Sequence, residues 1–154
     1  MIVREGPGDL LKSKMQTLVI PVNTVGAMGA GLAYPIKMRH PSLFLDYGKF
    51  CREGKFKIDT FLLKRISPTK KILLFPTKKH WQNPSKIEWI KANLEKFARL
   101  YDQHHIESVA FPAIGCGHGN LEWDQVKPLM YQYLDPLPIK VEIVLRQNDG
   151  VCIP

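Results

Sequence analysis

Lys78 and Lys79, which follow the apolar run Phe75-Pro76-Thr77, are either candidates for chemistry in a ligand crevice or solvated surface lysines. A lysine at the end of a β-like run can bind phosphate, attack an electrophile or stabilise developing charge. Two glycine-rich segments share the chain with it, residues 21–33 (PVNTVGAMGAGLA) and 111–123 (FPAIGCGHGNLEW). Each follows an apolar run and leads into a helical pattern. In an open α/β sheet such loops gather at the carboxyl ends of the strands, where ligands bind. Glycine lets backbone N–H groups approach a phosphate closely, and a following helix start adds favourable partial charge. The pair reads as a clamp for a pyrophosphate, which points to a nucleotide-like ligand.

Several neighbours have two readings. Asp9, in Gly8-Asp9-Leu10, either accepts a hydrogen bond from an adenine amino group or caps the short segment after it. Asn23 and Thr24 either meet ribose hydroxyls or stabilise the turn. His80 and Trp81 suit stacking on a base or packing at a rim. His118, inside the second glycine loop, is a loop-shaping residue or a phosphate neighbour. The spacing of Gly26, Gly29 and Gly31 fits neither a Walker A loop nor a dinucleotide fingerprint. HExxH, CxxC and GxSxG are absent, and neither glycine loop proper (24–31, 115–120) holds a carboxylate for a two-acid glycosidase.

The elements that must position these residues alternate. Strands are expected at 2–5, 16–23, 61–65, 71–75, 109–112 and 141–145, with 67–69 turning a hairpin. Helices are expected at 31–40, with Pro35 forcing a kink or late start, at 42–52, stopped by Gly54, at 85–104 and at 123–134. Ser85 and Glu88 have the spacing of a capping box. This order gives an α/β chain with a mixed sheet between helices.

Composition agrees. The 154 residues are 45% hydrophobic, enough for one domain spanning 1–154 with a real core. No apolar run approaches the ~20 residues that span a bilayer. The start, MIVREGPGDLLK, lacks the apolar stretch of a signal peptide. Cys51, Cys116 and Cys152 form no disulfide framework or zinc pattern, so a cytoplasmic setting is expected. The net charge is +8, and residues 37–91 alone carry fourteen Lys/Arg against four acids, a net +10. That concentration favours a polyanionic partner if it also clusters in space.

Taken together, GDL at 8–10, PVNTVGAMGAGLA at 21–33, FPTKKHW at 75–81 and GCGHGNLEW at 115–123 resemble the macrodomain family. Within it they are similar to the DarG-type DNA ADP-ribosyl glycohydrolases and the related human terminal ADP-ribose protein glycohydrolase. The resemblance implies a three-layer α/β/α fold with a mixed, roughly six-stranded sheet, and ADP-ribose in the crevice. It implies Lys78 as the catalytic residue. It implies substrate contacts from Asp9, Leu10, Asn23, Thr24, Gly26, Met28, Gly29, Ala30, Gly31, Thr77, Gly115, Cys116, Gly117, His118, Gly119 and Asn120. Lys79, His80 and Trp81 become candidates for contact with DNA. The implied reaction removes ADP-ribose from thymine in single-stranded DNA, reversing a DarT-type toxin, which is itself a candidate partner. No cofactor or metal is expected, and the protein is expected to be a monomer. The human relative pairs its lysine with an aspartate where this chain has Gly119. Antitoxins of this type usually carry a further C-terminal domain that residues 1–154 do not include. The competing readings are a non-catalytic ADP-ribose-binding module and a hydrolase of free O-acetyl-ADP-ribose or ADP-ribose 1″-phosphate.

Overall fold

The central strand β2 (Thr17–Asn23) decides the architecture. It lies between β4 (Lys70–Lys78) and β5 (Ser108–Phe111) in a six-stranded sheet of order β1-β6-β5-β2-β4-β3. The outer strands are β1 (Ile2–Pro7), β3 (Leu62–Ser67) and β6 (Lys140–Leu145). Only β3 runs antiparallel, to β4; the other pairings are parallel. The computed structural model describes residues 1–146, so Cys152 lies outside the described residues.

Alternation along the strands sorts side chains onto two faces. Val19, Leu73, Phe75, Val109 and Phe111 pack under α3 (Ile87–Leu100) and α4 (Trp123–Leu134). Leu18, Ile20, Ile72 and Leu74 pack under α1 (Ala33–Arg39) and α2 (Pro41–Arg52). The result is the expected three-layer α/β/α sandwich. No helix among the described residues is long and apolar enough to cross a membrane.

The expected elements form, with instructive shifts. Helix α1 starts late, at Ala33 instead of 31, which puts Pro35 in its first turn, where no backbone N–H is required. Gly54 ends α2 at φ +69°. The second hairpin strand extends past Phe75 through Pro76 to Lys78. Helix α3 starts at Ile87 and stops at Leu100, shorter than 85–104, and Ser85 does not cap it. The capping box belongs instead to α4, between Glu122 and Gln125.

Pairing between β2 and β5 covers only Thr17–Val109 and Leu18–Ala110. Beyond Leu18 the two strands part, which leaves that side of the ladder open beside Pro21. The chain leaves β2 towards β3 and β4, and leaves β5 in the opposite direction, towards β6. This is a topological switch point, and the two glycine loops emerge from its two sides.

Candidate functional site

A cleft of about 720 Å³ opens at this point. Its floor includes Pro21, Val22, Pro112 and Ala113, and Gly8, Asp9 and Leu10 line it beside Val144 of β6. Glycines leave room along its walls. A side chain at Gly29 would meet no atom within 4 Å, so that edge of the loop is open space. Gly115 has φ +77°, and a Cβ there would come within 2.8 Å of Leu121 and 2.9 Å of Ile90. Only glycine fits that tight turn against α3. The loops also meet each other, since the His118 ring lies 3.5 Å from the Cβ position of Gly31.

Lys78 reaches this cleft from the end of β4. The pairing with β2 moves from Val22–Pro76 to Asn23–Lys78, so Thr77 is an extra residue in a bulge. Bulges re-aim side chains and are common beside active sites. Lys78 Nζ donates to the carbonyl oxygens of Trp81 at 2.7 Å and His118 at 3.0 Å. It has no carboxylate partner in an ion pair among the described residues. Burial therefore pushes its pKa below the ordinary lysine value.

Ser85 ties the two supports of Lys78 together. Its hydroxyl donates to Thr77 O, and its backbone N–H donates to Gly119 O at 2.9 Å. The first bond holds the bulge before Lys78, and the second holds the loop that carries His118 O. A Cβ at Gly119 would sit 3.2 Å from Ser85 Cβ, so this close approach suits a glycine.

The cleft brings together Asp9, Leu10, Asn23, Gly29, Ala30, Gly31, Thr77, Lys78, Trp81, Gly115, Cys116, His118 and Gly119. Asp9 also caps, its carboxylate accepting from Leu11 N–H at 3.0 Å. Asn23 shapes its loop as well. Its Oδ1 accepts from the Val25 and Ala27 N–H groups, each at 3.2 Å, and from the Tyr47 hydroxyl at 2.8 Å. Its Nδ2 donates to Ala27 O at 2.9 Å. Burial raises the Tyr47 pKa well above the ordinary tyrosine range, which keeps that hydroxyl a donor.

Other expected contacts lie outside the cleft lining. Met28 is 2% exposed and packs into the core on the α1/α2 side. Gly26 faces Gly48 and Cys51 of α2. Thr24 binds the lysine segment instead: its N–H donates to Lys78 O and its hydroxyl to Lys79 O, each at 3.0 Å. Gly117 abuts the Arg146 guanidinium, and Asn120 closes the loop at φ +63° with its N–H donating to Gly117 O. Lys79 and His80 lie outside the lining, beside Trp81. Sequence reasoning missed Arg146, which follows β6 and lines the cleft, and Ser85. A cation directly after a closing strand was the available signal for Arg146. Among the described residues, no three His, Cys, Asp or Glu side chains gather as a metal site.

The Macro domain model matches residues 19–130. The isolated macrodomain of Mycobacterium tuberculosis DarG superposes with a TM-score of 0.88 at 36% identity, covering 96% of this chain and 99% of that one. The chain belongs to the macrodomain family. This macrodomain also superposes on Thermosipho africanus DarTG in complex with ADP-ribose, with a TM-score of 0.88 at 39% identity over 94% of this chain and 42% of that one. A curated relative from Thermosipho africanus, a DNA ADP-ribosyl transferase–DNA ADP-ribosyl glycohydrolase fusion protein, is 39% identical over 90% of this chain and 40% of its own length. The macrodomain thus spans about two fifths of the curated relatives it matches.

Proposed function

We propose that this macrodomain is a DNA ADP-ribosyl glycohydrolase that releases ADP-ribose from thymine in single-stranded DNA and so reverses a DarT-type toxin in the cytoplasm. The observation that carries the reading is Lys78, buried to 9% exposure at the apex of a glycine-walled cleft and held by two carbonyl oxygens. Among the described residues, Asp9 is the one carboxylate in the cleft lining, where a two-carboxylate glycosidase scheme uses two. The similarity to DNA ADP-ribosyl glycohydrolases supports the substrate class.

In this reading the amides of residues 29–31 and of the 115–119 loop hold the diphosphate, Asp9 receives the adenine, and the distal ribose lies against Asn23 and Lys78. Holding the anomeric carbon beside Lys78 makes the attack effectively intramolecular. Burial raises the share of neutral amine, and Nζ attacks the anomeric carbon. The C–N bond to thymine breaks, and its electron pair leaves with the thymine nitrogen. That nitrogen takes the proton shed by the new ammonium adduct. Water then displaces the lysine, returning the amine and free ADP-ribose.

The test is purified protein on an ADP-ribosylated single-stranded oligonucleotide, with and without EDTA, and release of free ADP-ribose as the readout. Release that survives EDTA is expected. ADP-ribose binding without release would make this a binding module and overturn the proposal.

A further inference from the structure

Trp81 is 55% exposed, an unusual placement for the largest apolar side chain, and it stands at the mouth of the cleft. Its mounting is rigid. Its carbonyl oxygen receives Lys78 Nζ at 2.7 Å, and its ring lies on His80 with centroids 5.4 Å apart and planes 28° apart. His80 is fixed in turn, since its Nδ1 accepts from Gln82 N–H and its carbonyl from Asn83 N–H, each at 3.1 Å. An aromatic held open to solvent with its backbone bonded and its ring against a neighbour stacks at a reduced ordering cost.

Cations continue the same rim. Lys79 and Lys86, both upstream of Trp89 in the sequence, each place Nζ 5.4 Å from its ring centroid. Residues 79–87 contain no Asp or Glu, and neither lysine joins an ion pair among the described residues. An exposed aromatic beside cations that lack a carboxylate partner matches a single strand, whose bases stack and whose phosphates need counter-charge. A duplex hides those base faces.

We propose that this rim is the track for the strand flanking the modified nucleotide: Trp81, backed by His80, stacks on the adjacent base, and Lys79 and Lys86 contact its phosphates. The inference rests on the proposed hydrolysis of ADP-ribosylated DNA and assigns the part of the substrate outside the cleft.

Turnover of an ADP-ribosylated single-stranded oligonucleotide and of ADP-ribosylated thymidine tests it. Wild type favours the oligonucleotide. Trp81→Ala lowers kcat/KM for the oligonucleotide roughly tenfold, the effect of losing one base–aromatic stack, and erodes that preference. Trp81→Phe keeps most of the rate. The double variant Lys79→Gln/Lys86→Gln flattens the dependence of log(kcat/KM) on log[salt] by about 1.4, or ~0.7 per lost phosphate contact. Equal losses on both substrates, or no loss on the oligonucleotide, would overturn the track while leaving the hydrolase reading intact. Wild-type protein that binds ADP-ribose yet turns over neither substrate would overturn both.

Discussion

Strand β4 carries a buried lysine near each end. Lys71 is 7% exposed and Lys78 is 9% exposed. Each is held by two backbone carbonyls: Lys71 Nζ donates to His104 O at 3.2 Å and His105 O at 3.3 Å, and Lys78 Nζ to Trp81 O and His118 O. Seven residues at ~3.3 Å rise put them about 23 Å apart. Lys71 plugs the amino end of the sheet, where the turn after α3 folds over it. Lys78 faces the cleft at the carboxyl end. Under the proposed mechanism, burial and carbonyl pairing alone do not make a lysine catalytic. What differs is the open, glycine-walled volume beside the amine.

The sharpest way to break this comparison is Lys78→Ala. On modified DNA its turnover should fall on the order of 10³-fold, within the range of a lost catalytic group. ADP-ribose affinity should stay within a few-fold, because the amine acts mainly in the transition state. Near-normal turnover would end the assignment. Lys78→Arg then separates two roles. A guanidinium stays protonated and cannot attack, so inactivity fits a nucleophile and partial activity fits a fixed positive charge. The pH profile gives the same answer independently. The attacking form is the neutral amine, and burial lowers the Lys78 pKa. A nucleophile therefore gives a rate that rises with pH and levels off below the ordinary lysine range. A charge stabiliser gives a rate that falls through the same region.

A smaller effect is expected from Ser85→Ala. It removes the hydroxyl bond to Thr77 O, which steadies the bulge before Lys78, and leaves the backbone bond to Gly119 O in place. Turnover should drop roughly tenfold in kcat with KM little changed, since small displacements of a catalytic group are costly while the cleft walls persist. A change confined to KM would show that Ser85 shapes the cleft and does not position Lys78.

Ser85 also shows where sequence reading stops. Its spacing to Glu88 is that of a capping box, yet Thr77 O and Gly119 O claim its polar groups, and α3 begins two residues later. Tertiary hydrogen bonds overrode the local pattern. The box that does form starts with Glu122, outside the favoured Ser/Thr/Asp/Asn set, so its sequence signal was faint. The glycine loops and Lys78 were legible because buried apolar strands precede them and fix which end of the sheet they occupy. Met28 was not, because a loop residue's side can be told only from what packs beneath it. The basic stretch 37–91 was half legible. Its charge is real, but Lys64 pairs with Asp46 at 2.7 Å, Lys55 pairs with Glu53 at 3.0 Å, and Lys70 and Lys71 sit at the far end of the sheet. Part of the charge clustered along the chain is therefore engaged elsewhere, while Lys79 and Lys86 meet over Trp89.

The least effect on chemistry is expected from Lys71→Met. The substitution keeps an unbranched apolar stem of similar length and removes the ammonium, so His104 O and His105 O lose their shared donor. His105 O keeps Gln16 Nε2 as a donor, so the loss falls mainly on His104 O and costs about 1–3 kcal/mol. For a chain of this size that lowers Tm by several degrees, at ~2–4 °C per kcal/mol. Turnover on the modified oligonucleotide, measured well below Tm, should stay within twofold, because β2 pairs with the strand along its length and β3 pairs with it as far as Leu74. The paired result, a stable but inactive Lys78→Ala and a less stable but active Lys71→Met, would separate the two ends of β4 into a catalytic and a structural lysine. A large loss of turnover in Lys71→Met at temperatures where it remains folded would mean that strain passes along β4 to the bulge at Thr77. The two ends would then have to be treated as one coupled unit.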